Sequence, residues 1–153
     1  MLNIFVSYSH ADSPTIDMFV NGLTGLGHKV FLDRYDIKPG DHILQKAKSL
    51  IDQSDLVLVF LTKQSVHSEW VAAEVDYSLK ASKKIIPLVE DSAALNPNHP
   101  IRQIRYINVY PYELNRTYAE LSSRISELDN EKIMAGVVIL GVALLAAYAL
   151  SRG

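Results

Sequence analysis

The sequence has no cysteine, which excludes disulfides and thiolate metal sites and fits a reducing compartment. It has neither a GxGxxG nor a GxxxxGK[ST] pattern, so both familiar phosphate-cradling loops are missing. It has no basic run. Fifteen Lys and Arg stand against seventeen Asp and Glu, a formal charge of −2, and such a surface does not attract nucleic acid. It has no internal repeat and no low-complexity tract. His10 and His67 stand in turn-rich segments without a partner at metal-ligand spacing, so no metal is expected.

What the chain does have is one long apolar run. Residues 133–150 read IMAGVVILGVALLAAYAL, with no charge, no amide and no hydroxyl but that of Tyr148. Eighteen helical residues span roughly 27 Å, close to the ~30 Å of a bilayer core. A helix lying on a soluble domain would show a polar face, and this one has none. The expected organisation is therefore a soluble domain over residues 1–130, then a single transmembrane helix and short tail over residues 131–153. Lys132 and Arg152 flank the span and leave the charge rule nearly silent. Because no export signal precedes the span, the expectation is a single-pass membrane protein with its domain in the cytoplasm.

Within residues 1–130 apolar strand-like runs alternate with helical stretches. Residues 3–7, 29–33, 56–61, 84–89 and 105–109 read as strands. The run LVLVFL at 56–61 is apolar throughout, as in a strand buried on both faces of a parallel sheet. Pro87 inside the fourth run suggests an edge or bulge. Between the strands, Ile16, Phe19, Val20 and Leu23 recur at helical spacing, with Pro14 suited to a first turn and Gly25 and Gly27 ending the helix. Asp41 and Ser68 are candidate N-caps. A last helix is expected over residues 112–130, leading into the apolar run. Alternation of this kind means an α/β fold with a parallel sheet. A flavodoxin-like five-stranded order, 2-1-3-4-5, with flanking helices is the common solution at this size. Ligands of such sheets bind outside the carboxyl ends of the strands, which nominates the loops at residues 8–12, 33–40 and 62–67.

Glu74 is the candidate catalytic carboxylate. It lies two turns into the helix that starts at that edge and falls about 60° from Val71, at the border of the buried stripe. Trp70 stands one turn before it. Arg34, Tyr35 and Asp36 form a polar cluster on the second loop, where function concentrates. Ser7, Ser9 and His10 do not form a nucleophilic triad, since no acid is placed to orient the histidine. A response regulator is disfavoured. Its chemistry needs an acidic pair after the first strand and an aspartate ending the third, where this chain has Tyr8-Ser9-His10 and Leu61-Thr62.

Four stretches together resemble a Toll/interleukin-1 receptor (TIR) domain: Ile4-Phe5-Val6-Ser7-Tyr8-Ser9; Val30-Phe31-Leu32-Asp33 with Pro39-Gly40; Ser54-Asp55 with residues 56–61; and Ser68-Glu69-Trp70-Val71-Ala72-Ala73-Glu74. The last is similar to the S-x-W-x-x-x-E element of the enzymatic members, and the arrangement resembles prokaryotic proteins linked to defence. The resemblance implies a hydrolase or cyclase of NAD, which is its substrate and not a bound cofactor. It implies Glu74 as the catalytic residue, with Tyr8, Ser9, His10, Arg34, Asp36 and Trp70 binding substrate. It also implies self-association through TIR domains. The alternative is a non-catalytic scaffold acting by homotypic assembly; nucleoside 2-deoxyribosyl transfer is a further enzymatic reading.

Overall fold

The structure, a computed structural model, describes residues 1–32 and 41–151, and of residues 41, 93, 138–142 and 144 the backbone alone. Contacts divide the chain into two compact units, Met1–Ala119 and Glu120–Gly153.

In the first unit the elements run β1 (Asn3–Ser7), α1 (Ser13–Gly25), β2 (Lys29–Leu32), α2 (Asp41–Asp52), β3 (Leu56–Leu61), α3 (Glu69–Lys80), β4 (Lys84–Val89) and β5 (Ile107–Asn108). The strands form one sheet in the order β2-β1-β3-β4-β5, and every pair is parallel. The expected doubly wound order is therefore observed. The centre of the sheet is β3, all six of whose residues are buried. It has a strand on either side and side chains packed on both faces, so no position along it can be polar without cost.

The period-2 alternation of the strands sorts their side chains onto two faces. Phe5, Val57, Val59 and Leu61 share a cluster with Val71 and Val75 of α3 and Ala47 and Ile51 of α2. On the other face the ring of Phe19 of α1 meets that of Phe60 edge-on, with centroids 5.3 Å apart. Each such side chain contributes about 1.5–3 kcal/mol on burial.

Local signals act as expected at α1. Pro14 stands in its first turn, where its missing N–H removes no helical hydrogen bond. Gly27, two residues beyond the helix, has φ +89°, and its N–H donates to the Thr24 carbonyl at 2.9 Å. A side chain there would be forced into the left-handed region. Gly27→Ala is expected to destabilise the domain by about 1 kcal/mol, read as a lowered denaturation midpoint; an unchanged midpoint would contradict it.

One edge of the sheet departs from expectation, and the other is described only in part. β2 is described to Leu32, and Asp33 lies outside the described residues. β5 is two residues long instead of five, and it pairs only with Leu88 and Val89 of β4. Pro87, which pairs with Val59 on the β3 side, precedes that short ladder. β4 is thus an edge over the part that contains the proline, where a missing N–H breaks no second ladder.

The last helix, α4 (Leu114–Ser151), is continuous over 38 residues and begins two residues later than expected. In the second unit Ile133, Met134, Val137, Leu145, Tyr148 and Leu150 are exposed. Among the described residues no helix is long and apolar enough to cross a membrane, so the span expected over residues 133–150 is not found there. Residues 138–142 and 144, which include Val138, Ile139, Leu140, Val142 and Leu144, carry much of that run's apolarity, and their side chains lie outside the description.

Candidate active site

The carboxyl edge of the sheet is where β1 ends at Ser7, β3 ends at Leu61 and α3 begins. Ser68 starts α3 as an N-cap. Its backbone is extended and its side chain accepts the Val71 N–H at 3.3 Å, as its sequence position implied. Glu69 in the first turn and Lys80 in the last complement the helix dipole.

The buried residues of α3 are Val71, Glu74, Val75 and Ser78, a 3-4-7 spacing that defines one stripe. Glu74 is 1% exposed. The border position expected from its angle is in fact the inside of the stripe, which rules out an ordinary solvated helix glutamate. The Ser7 hydroxyl, itself fully buried, donates to Glu74 Oε2. One turn on, the Ser78 hydroxyl donates to the Glu74 carbonyl at 2.7 Å.

Burying a carboxylate costs several kcal/mol, which hydrogen bonds to it offset in part. An apolar residue would serve the stability of α3 better. A carboxylate buried at the edge where this class of sheet binds ligands is a candidate for chemistry.

The other expected site residues divide. Tyr8, next to Ser7 in the chain, is buried; Ser9 is half-buried. His10 opens a single 3-10 turn, His10–Asp12, and is exposed. Trp70 is half-buried and packs on the core cluster of α2 and α3. Arg34 and Asp36 lie outside the described residues, as does the loop at 33–40 that carries them. Among the described residues no group of three or more His, Asp or Glu could hold a metal ion.

Sequence reasoning missed Ser7, which it considered only as a nucleophile. The sequence shows only that Ser7, two residues from Phe5, shares its face; that this face carries the cluster of Val71 and Val75 is a fact of the tertiary fold. A second polar cluster was also missed. Thr62 Oγ1 donates to the Asp12 carboxylate, at 2.9 Å from both oxygens, and the Lys63 N–H donates to Glu90 Oε2 at 2.8 Å. Burial pushes the Asp12 carboxyl above its ordinary range, opposed by hydrogen bonds from Thr62 and Ser65 and aided by the charge of Glu90. Asp12, Thr62, Lys63 and Glu90 border a cavity of about 260 Å³. It ties the loop after β1 to the ends of β3 and β4, and Ser7 and Glu74 are not among its lining residues.

A family model described as TIR domain matches residues 4–122. No curated protein sequence matches the chain. Among solved structures the fold is similar to that of the CMP N-glycosidase BcmB of Clostridium botulinum, with TM-score 0.63 and 20% identity over 80% of this chain and 98% of that one. It is similar to the TIR domain of a Toll-related receptor of Hydra magnipapillata, with TM-score 0.64 and 17% identity over 81% of this chain and 97% of that one. It is also similar to the TIR domain heterodimer of RPS4 and RRS1, with TM-score 0.62 and 11% identity over 82% and 96%. At these identities the likeness speaks for the fold alone.

Proposed function

Since the chain belongs to the TIR domain family, we propose that it cleaves the nicotinamide–ribose bond of NAD, with Glu74 as the catalytic carboxylate. The observation that carries the reading is the burial of Glu74 against Ser7 at the carboxyl edge of the sheet. The glycosidase activity named for the Clostridium botulinum protein of similar fold agrees with N-glycosidic chemistry.

Nicotinamide leaves NAD as a neutral molecule, because the ring nitrogen that it takes with it is cationic in the substrate. No acid is needed to protonate it. The C1′–N bond breaks with its electron pair going to the nicotinamide, and positive charge develops on the ribose as in other glycoside chemistry. A fixed carboxylate stabilises that charge more than it stabilises the ground state, which is what lowers the barrier. Water then bonds to C1′ and releases a proton, giving ADP-ribose; an internal nucleophile in its place gives a cyclic product. Tyr8, Ser9, His10, Trp70, Arg34 and Asp36 are assigned to holding the rest of NAD. At 1% exposure Glu74 meets a ribose only when side chains around it move.

Residues 133–150 complete the reading as a membrane anchor. The whole stretch is uncharged, and α4 runs through it without a break. The domain boundary is then at residue 130, with the catalytic domain on the cytoplasmic side, where NAD is available. Self-association through the TIR domains is part of the same proposal, and the heterodimer of TIR domains among the similar folds agrees with it. A pure scaffold needs that assembly but gives no reason to bury Glu74.

The test is to incubate the purified full chain with NAD and follow free nicotinamide by chromatography. Release that scales with enzyme concentration is expected. A folded, assembled protein that leaves NAD intact would favour the scaffold.

A further inference from the structure

We propose that Ser7 is the positioning residue of this centre, holding Glu74 in the rotamer that faces the ribose; the inference rests on the catalytic reading of Glu74. Ser7 is the last residue of β1, an interior strand, and is in register with Val59 of β3. Its backbone is therefore fixed by the ladder, and its side chain has one heavy-atom torsion. Glu74 has three, on a helix that lies across the face of the sheet. Immobilising such a side chain costs about 1.5–2 kcal/mol in rotamer freedom, so a buried glutamate takes one geometry only if something rigid holds it.

The face explains the pairing. Phe5 and Ser7 point the same way along β1. Phe5 lies in the cluster of Val71 and Val75, and Ser7, nearer the carboxyl edge, meets the residue between those two valines. Alanine would fill a fully buried position on that face without any polar atom. Among the described residues Glu74 is the partner of the Ser7 hydroxyl, so the hydroxyl has no other use there. The Ser7 hydroxyl donates and the carboxylate accepts.

A residue that acts by orientation should move kcat and leave binding alone. In the full chain, purified in mild detergent, Ser7→Ala is expected to lower kcat for NAD about tenfold to a hundredfold, the loss that a misplacement of about 1 Å produces. KM should stay within about twofold, because Ser7 touches no substrate. Ser7→Thr keeps the hydroxyl and should recover part of kcat. Where its extra methyl prevents folding, Ser7→Cys, a weaker donor of similar size, should fall between wild type and Ser7→Ala. Three results would overturn the proposal: unchanged kcat in folded Ser7→Ala, a rise in KM alone, or equal losses in Ser7→Ala and every folded variant that keeps a donor. Glu74→Gln separates the two ideas. If Glu74→Gln is inactive and Ser7→Ala fully active, only the positioning role fails. If Glu74→Gln is fully active, or wild type never releases nicotinamide, the catalytic reading fails and takes the tether with it.

Discussion

Glu74→Gln is expected to lower NAD turnover by about a thousandfold, a loss of roughly 4 kcal/mol of transition-state stabilisation, with the fold intact. The amide has the size of the carboxylate and can still accept from Ser7, so packing of the α3 stripe is kept. What disappears is the negative charge, and with it the term that favours the charged ribose over bound NAD. Stability should move the other way. A neutral amide is cheaper to bury than a carboxylate, so the unfolding midpoint is expected to hold or rise. This opposition is diagnostic, since a purely structural Glu74 would lose stability on substitution and leave turnover per folded molecule unchanged. Circular dichroism with a nicotinamide-release assay reads both quantities, and full turnover by folded Glu74→Gln would remove Glu74 from the mechanism.

Removing residues 133–153 is expected to move the protein from the membrane pellet to the supernatant almost completely. The insertion of some eighteen uncharged residues is worth far more than any peripheral contact that a domain with a net negative charge could make. Turnover at equal bulk concentration should also fall, by as much as about a hundredfold when dilute, because confinement in a membrane plane raises the effective concentration of domains whose assembly is part of the proposed function. The two effects are separable. A truncated chain that still pellets with membranes refutes the anchor; one that is soluble and equally active when dilute refutes only the benefit of clustering.

How much of this was legible in the sequence follows from burial. The bounds expected for the first, third and fourth strands agree with β1, β3 and β4, because a strand packed on both faces needs an apolar run and polar residues mark where packing stops. The edge strand β5 was overestimated. Residues 105–109 have the composition of a strand, but the length of a ladder depends on a partner elsewhere in the chain, and composition does not encode that. The last helix was read as two pieces because its apolarity changes near residue 131, yet helical hydrogen bonding is indifferent to that change and α4 continues through it. At the site, the angular position of Glu74 placed it at a border that either solvent or core could claim; only the tertiary fold, which brings Ser7 onto that face, decides. The binding roles of Arg34 and Asp36 fall on residues outside the description.

The complete enclosure of β3 has a consequence for how the chain is handled during synthesis. Leu-Val-Leu-Val-Phe-Leu is six consecutive residues of strand-forming, uncharged sequence without proline or glycine, the composition that stacks into intermolecular β-structure when left uncovered. Its covering strand β4 and the helix α3 both follow it in the chain, so the segment emerges from the ribosome before its protection does. Parallel pairing closes only over long connections and is slow. Destabilised variants of this protein will therefore leave solution as aggregate before they accumulate as soluble unfolded chain. Their yield of soluble protein will report folding efficiency, and their activity must be normalised to the folded fraction before any substitution is credited with a chemical effect.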